Sequence, residues 1–123
     1  MLESAALMAF AATTHPANAR AFYEGVLGLR VESDDDFALA IDANGTRLRI
    51  QKVGAFEPAP FTALGWQVSD ILAVVDGLRA RGVSFQLFPG MAQDERGIWR
   101  APSGAQVAWF RDPDGNTLSL TQL

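Results

Sequence analysis

A repeat displaced by 70 residues constrains the fold of this chain more than any other feature of its sequence. Four residues of one hairpin recur in a second hairpin, namely Asp42, Gly45, Leu48 and Ile50 as Asp112, Gly115, Leu118 and Leu120. The glycines that end two predicted helices, Gly28 and Gly82, lie only 54 residues apart. The difference of 16 residues matches an extra loop at 89–104. The sequence therefore predicts two tandem modules, the second with one insertion.

Hydrophobic periodicity predicts the same order of elements in both halves. In the first half a strand at 6–12 and a helix from Pro16 precede strands at 29–32, 37–41 and 46–53. In the second half a strand at 64–68 and a helix capped by Asp70 precede strands at 83–88, 106–111 and 116–121. The Pro- and Gly-containing stretch 54–60 is the natural linker. We expect an α+β fold in one domain, 1–123, with βαβββ modules at about 1–54 and 62–123.

Composition narrows the classes of function. The net charge of −4, with both signs mixed along the chain, argues against a nucleic-acid surface. The chain has no cysteine, which excludes disulfides, thiolate chemistry and cysteine-ligated zinc. No apolar run approaches the roughly 18 residues of a membrane span, and the first residues lack the basic start and apolar core that are typical of a signal peptide. We therefore expect a cytoplasmic protein that contacts neither nucleic acid nor membrane.

Three stretches carry a resemblance to a known family: ARAFYEGVLGL at 19–29, LGWQVSD at 64–70 with RARGV at 79–83, and FRDPDGN at 110–116. In this order they resemble the glyoxalase/bleomycin-resistance/extradiol-dioxygenase superfamily, also called the vicinal oxygen chelate superfamily. The resemblance implies a cupped, mixed eight-stranded sheet with helices on the outer face and a ligand cavity inside. It also implies a homodimer.

Metal-using members of that superfamily hold a divalent ion with His, Glu or Gln from four strands. The resemblance carries these positions onto Met8, Arg49, a residue near Ala63, and Ser119. Methionine is a soft donor, alanine is none, serine is poor, and arginine repels a cation. A shift of one or two residues does not improve the set, and the nearest oxygen donors are two amides, Gln51 and Gln67. We expect no metal ligand and no cofactor, with a divalent metal disfavoured.

Strand alternation gives Arg49 a further interpretation. Leu48 and Ile50 share one face of their strand, so that Arg49 and Gln51 share the other. Ser119 and Thr121 occupy the equivalent face in the second half. Arg49 then either binds an anionic ligand in the cup with Gln51 or belongs to a solvated face. In the second case it can also pair with a carboxylate across a dimer interface.

The predicted ligand-binding set comprises Met8, Phe10, Arg49, Gln51, Gln67, Trp99, Ser119 and Thr121. The loop 89–104 either covers the cavity, with Trp99 stacking on the ligand, or is an ordinary long hairpin whose tryptophan packs on the core. Trp66 shares parity with Leu64 and is expected to pack against a helix, whereas the position of Trp109 is ambiguous.

Three polar groups are interpreted as structural. His15 stands beside Pro16 at a helix start and is expected at the surface, although an imidazole can serve as a general base. The triple acid 34–36 is predicted to form a hairpin turn. The run from Asp112 to Asn116 imitates a calcium loop, but Leu123 stands where that loop needs a bidentate Glu, so we predict a turn.

These patterns favour a metal-independent, sequestration-type protein that binds an anionic or aromatic small molecule. One alternative is a glyoxalase-like lyase, isomerase or dioxygenase of the same fold, weakly metal-dependent or using an acid such as Glu95. Another alternative is an interaction subunit with a vestigial cavity. No motif identifies the ligand.

Overall fold

The computed structural model describes residues 1–123, which form two compact units, Met1–Glu57 (unit 1) and Pro58–Leu123 (unit 2). Each unit is a four-stranded mixed sheet with one helical segment, in the order βαβββ. The predicted α+β fold with two tandem modules is confirmed. No helix in either unit has the length and apolarity needed to cross a membrane.

Unit 1 begins with a strand and a helix that starts at the predicted proline. Its elements are β1 Met8–Thr13, α1 Pro16–Arg20 continued by a π-helical segment Ala21–Val26, β2 Arg30–Asp34, β3 Ala38–Ala43 and β4 Thr46–Lys52. The strand order is β1-β4-β3-β2, with β1 parallel to β4. Asn44 (φ 51°) and Gly45 (φ 94°) form the two-residue β3–β4 turn, which needs positive φ at both positions.

Unit 2 repeats this topology. Its elements are β5 Thr62–Gln67, α2 Ile71–Ala80, β6 Trp99–Arg100, β7 Gln106–Arg111 and β8 Thr117–Gln122, with the strand order β5-β8-β7-β6. Asp70 caps α2 as predicted, because its Oδ1 accepts a 3.1 Å hydrogen bond from the Ala73 amide. The chain leaves α2 through Gly82, whose φ is 92°.

The predicted strand at 83–88 is wrong. Only Phe85 forms a bridge to β7, opposite Phe110, and the Gln86 amide donates to the Trp109 carbonyl at 2.8 Å. Farther along the same edge of β7, β6 pairs with Gln106 and Val107. After the bridge at Phe85 the chain leaves the edge of β7, and it pairs with that edge again at Trp99–Arg100. Two short segments therefore occupy the edge that β2 alone occupies in unit 1.

Each sheet has one apolar face and one polar face. Leu48, Ile50, Leu118 and Leu120 are buried on the apolar faces, where strand alternation placed them. The buried helical side chains are Ala19 and Tyr23 in unit 1 and Ile71, Val75 and Leu78 in unit 2. We use "polar face" for the opposite side of each sheet, which bears Arg49 in unit 1 and Ser119 in unit 2.

Candidate ligand-binding site

On the polar face of unit 1, Arg49 lies between an aromatic residue and a small one. The strand register places Phe10 on one side of Arg49 and Ala40 on the other. Gln51 lies one step along, beside Ala12. The side chain of Arg49 is half-buried and makes no hydrogen bond or ion pair with the chain. Its guanidinium donors are therefore free to bind an anion.

The polar face of unit 2 consists of three cross-strand rows. They are Arg111 beside Thr117, Trp109 beside Ser119 and Gly65, and Val107 beside Thr121 and Gln67. Arg111 therefore lies at one end of this face and Trp109 in the middle. The amide of Gln67 and the hydroxyl of Thr121 lie at the other end. Trp66 pairs with Leu120 on the opposite face, as its parity predicted.

A cleft of about 620 Å³ opens at the cationic end of this face. It is lined by Pro58, Ala59, Pro60, Phe61, Thr62, Phe88, Met91, Trp109, Arg111, Gly115 and Thr117. None of the eight residues predicted for ligand binding lines it. Strand alternation could have identified Trp109 and Arg111 as candidate ligand-binding residues. Both lie on the face of β7 that continues the face of β8 bearing Ser119.

Aromatic contacts fix the orientation of Trp109. Phe88 packs edge-on against it, with ring centroids 5.5 Å apart and an interplanar angle of 90°. The Trp99 ring centroid lies 6.1 Å from that of Trp109, and the two ring planes are tilted by 37°. Trp99, predicted to stack on the ligand, thus contacts Trp109 rather than lining the cleft. The three rings form one aromatic cluster, of which Phe88 and Trp109 line the cleft.

The inserted loop is held by the side chain of Gln93. Gln93 Oε1 accepts a hydrogen bond from the Phe88 amide at 2.8 Å, and Nε2 donates to the carbonyls of Gln86 and Gly97 at 2.9 and 2.8 Å. These bonds hold Phe88, just before the loop, and Met91, within it, on the wall of the cleft.

A second contact joins the inserted loop to α2. Arg96 donates to both carboxylate oxygens of Asp76, at 2.8 and 3.3 Å, and this interaction lowers the pKa of the Asp76 carboxyl.

Glu95, the acid considered for an enzymatic role, is exposed and lines a separate groove of about 380 Å³ with Arg79. It does not line the larger cleft.

The clusters interpreted as structural behave as predicted. His15 is exposed, and its Nδ1 lies 2.9 Å from Thr14 Oγ1. Asp35 Oδ1 accepts from two amides of the turn that follows β2, and Asp34 pairs with Lys52 and Arg20. One difference is that β2 extends through Asp34, because its pairing with β3 continues past a bulge at Val31/Ser33.

The calcium-like sequence also forms a turn. Asp112 is buried, and its Oδ1 accepts from the amides of Asp114 and Asn116 at 3.0 and 2.9 Å. Its Oδ2 accepts from Asn116 Nδ2 at 2.8 Å. This turn carries Gly115 and leads into Thr117, and so it builds one wall of the cleft.

The residues at the family's metal positions do not fit a divalent ion. In unit 1 the residue beside Arg49 is Phe10 rather than Met8, and in unit 2 the residue beside Ser119 is Gly65 rather than Ala63. Neither pair offers the imidazole or carboxylate ligands that such ions prefer. The structure contains no group of three or more His, Cys, Asp or Glu residues placed to hold a metal.

The sequence matches the model of the Glyoxalase/Bleomycin resistance protein/Dioxygenase superfamily over residues 6–120. The chain belongs to this superfamily. The resemblance inferred from its motifs is confirmed, since the match spans both halves of the repeat. No curated protein sequence gives a significant match.

Solved structures of the superfamily share its fold. A member from Sphaerobacter thermophilus is 22% identical over 100% of both chains, with a TM-score of 0.76. A glyoxalase/bleomycin resistance protein/dioxygenase from Alicyclobacillus acidocaldarius is 16% identical over 97% of this chain and 91% of that one, with a TM-score of 0.73. A lactoylglutathione lyase from Agrobacterium tumefaciens is 19% identical over 99% and 96%, with a TM-score of 0.72. At these identities the likeness is one of fold alone.

Proposed function

We propose that this superfamily member binds a flat, anionic small molecule in the cleft of unit 2 and does so without a metal. The observation that carries the proposal is the position of Trp109 and Arg111, which share one face of β7 and both line the cleft. The volume of about 620 Å³ lies within the usual range for small-molecule sites, roughly 300–1,000 Å³.

The electrostatics of the cleft favour an anion. Arg111 is the only charged residue of the lining, and its guanidinium makes no hydrogen bond or ion pair with the chain. A planar guanidinium can donate two parallel hydrogen bonds to a carboxylate. The hydroxyls of Thr62 and Thr117 add two further polar groups to the lining.

The apolar lining favours an aromatic ligand. Phe61, Phe88, Met91 and Trp109 supply aromatic and thioether surface, and Phe61 is 67% exposed. Stacking on such rings stabilises a flat ligand, and a thioether adapts to its outline. These contacts need no metal, and the residues at the family's metal positions supply no suitable ligand set.

Several sequence predictions stay predictions alongside this proposal. They are a shared cavity for Arg49, Gln51, Ser119 and Thr121, a homodimer, and a cytoplasmic location. The lyase alternative is not favoured by the lining of the cleft, which contains no carboxylate or imidazole to act as general acid or base.

Calorimetric titration with 2-naphthoate in the presence of EDTA tests the proposal. Because Arg111 would make a charge-assisted hydrogen bond, we expect Arg111→Gln to weaken binding by about tenfold or more. Trp109→Leu should weaken it similarly. Arg100→Gln is the matched control, since Arg100 is exposed on β6 and does not line the cleft.

Two results would count against the proposal. Equal affinity of Arg111→Gln and Arg100→Gln for 2-naphthoate would show that the cleft is not the anion site. Thermal stabilisation by nickel, zinc or manganese, with no binding of the probe under EDTA, would favour the enzyme alternative.

A further inference from the structure

Ser119 is a buried polar residue whose hydroxyl has no partner. The residue is 7% exposed, and its side chain makes no hydrogen bond with the chain. Buried hydroxyls usually find a partner, because an unpaired one loses its hydrogen bonds to water. Every side-chain nitrogen or oxygen that is fully buried in this protein has a hydrogen-bond partner. Because Ser119 Oγ has no partner, it is not among the fully buried atoms and keeps some contact with solvent. The hydroxyl is therefore available to a group that enters from the polar face.

The residue beside Ser119 has no side chain to cover this hydroxyl. A Cβ on Gly65 would lie 2.7 Å from Ser119 Oγ, closer than real Cβ contacts allow. Gly65 does not have positive φ, so its backbone conformation does not require glycine. A glycine within a strand weakens the sheet and often marks a place where a ligand or another backbone approaches closely. Here the hydroxyl of Ser119 approaches the backbone of β5 where residue 65 has no Cβ, and we call this uncovered place the gap.

The first half of the repeat has no such gap. At the equivalent position of unit 1, the large side chains of Phe10 and Arg49 lie beside each other, where unit 2 has Gly65 and Ser119. Strand pairing is parallel in both cases, although the β5–β8 pair has a bulge at Thr62/Leu64 that the β1–β4 pair lacks. The gap is thus a specific feature of unit 2 and does not follow from the shared topology.

The gap continues the row of groups that lines the cleft. Ser119 lies two residues beyond Thr117 on β8, about 7 Å along the strand. Trp109 lies directly beside Ser119 in the register, while Arg111 lies beside Thr117. A ring stacked on Trp109 therefore has a cation near one end and the Ser119 hydroxyl near the other.

We infer that Ser119 and Gly65 form a second, uncharged polar subsite, which rests on the proposed function of the cleft. The ligand would be an aromatic anion with a hydroxyl or carbonyl group at the end opposite its negative charge. The Ser119 hydroxyl can donate to a carbonyl or accept from a hydroxyl, so it suits either group.

Two probes that differ by one hydroxyl test this inference. Titration calorimetry would compare 6-hydroxy-2-naphthoate with 2-naphthoate on the wild type, Ser119→Ala and Gly65→Ala. We expect the wild type to prefer the hydroxylated probe by about threefold to tenfold, the contribution of one hydrogen bond between uncharged groups. Ser119→Ala should abolish the preference and leave the affinity for 2-naphthoate within about twofold.

Gly65→Ala is a second variant that keeps the hydroxyl and fills the gap, and it should also abolish the preference. Gly54→Ala adds the same methyl where nothing lies within 4 Å, and it should leave the preference unchanged. A preference that survives in both Ser119→Ala and Gly65→Ala would overturn the inference, as would its absence from the wild type while 2-naphthoate still binds through Arg111. If neither probe binds, the proposed function fails and the subsite fails with it.

Discussion

Gln93 Oε1 accepts a 2.8 Å hydrogen bond from the backbone amide of Phe88. A side chain that does not line the cleft therefore holds the segment that places an aromatic ring on its wall. The Gln93 side-chain amide nitrogen also donates to the carbonyls of Gln86 and Gly97, so that one residue joins the chain just before the inserted loop to a point within the loop. The position of Phe88 relative to Trp109 depends on this arrangement.

Replacing Gln93 should therefore destabilise the protein. Gln93→Leu keeps the approximate size of the side chain but removes three hydrogen bonds to partly buried backbone groups. At about 1 kcal/mol for each bond, we expect the free energy of unfolding to fall by about 2–4 kcal/mol. Urea denaturation gives the measurement. Gln51→Leu changes an exposed glutamine and should have little effect, so equal losses in the two variants would contradict the prediction.

The two turns of the repeat give a matched comparison of a buried carboxylate, Asp112, with a more accessible one, Asp42. Asp112 accepts three hydrogen bonds, while its counterpart Asp42 accepts one, from the Gly45 amide at 2.7 Å. We expect Asp112→Ala to cost about 3 kcal/mol and Asp42→Ala about 1 kcal/mol of unfolding free energy. Chemical denaturation of both variants measures the difference. Similar losses would mean that the additional bonds of Asp112 contribute nothing.

Replacing a glycine in each of these turns distinguishes the cost of backbone strain from the cost of a steric contact. Gly45 and Gly115 have φ of 94° and 88°, so an alanine at either position should cost about 1–2 kcal/mol through strain. Only at Gly115 would the new methyl meet a neighbour, 3.3 Å from Cγ of Pro58. Gly115→Ala should thus lower the thermal unfolding midpoint further than Gly45→Ala. The prediction fails if the two midpoints fall equally.

Asp34 should contribute stability that depends on pH. Hydrogen bonds from Lys52 and then Arg20 lower the pKa of the Asp34 carboxyl in the folded state. A lowered folded pKa gives stability that is complete above the unfolded pKa, near 4, and is lost as the pH falls through the folded value. We therefore expect the difference in unfolding free energy between wild type and Asp34→Asn to shrink below about pH 4.

Urea denaturation at several pH values from 7 down to 2.5 measures this dependence on Asp34. Asp36→Asn is the control, because Asp36 is an exposed neighbour with no ion pair. Its difference from the wild type should not shrink in the same way. An acid dependence shared equally by both variants would assign the effect to net charge and not to the ion pairs of Asp34.

The fold could be predicted from the sequence because its signals are local. Gly28 and Gly82 adopt positive φ where the helices end, and Asp70 caps α2, so each boundary is encoded within a few residues. The repeat then fixed the order of elements. The exception, 83–88, has the composition of a strand, but the insertion that follows limits its pairing to one bridge at Phe85.

The candidate site could be predicted only in part, because its walls come from distant segments. Alternation correctly assigned Arg49 and Ser119 to faces opposite the buried leucines, since that pattern is local. Phe88 and Met91 reach the cleft through the contacts of Gln93 with three backbone groups, and no periodicity encodes those contacts. The packing of Trp99 on Trp109 likewise depends on how the inserted loop returns to β7.

The division of the β7 edge between two short segments also bears on aggregation. A long, flat edge strand offers a row of free amides and carbonyls to which a strand of another molecule can add. Here the Phe85 bridge occupies one stretch of that row and Trp99–Arg100 occupies another, so that neither presents a continuous template. The insertion that shapes the cleft therefore also keeps the edge of β7 from offering a continuous template to a strand of another molecule.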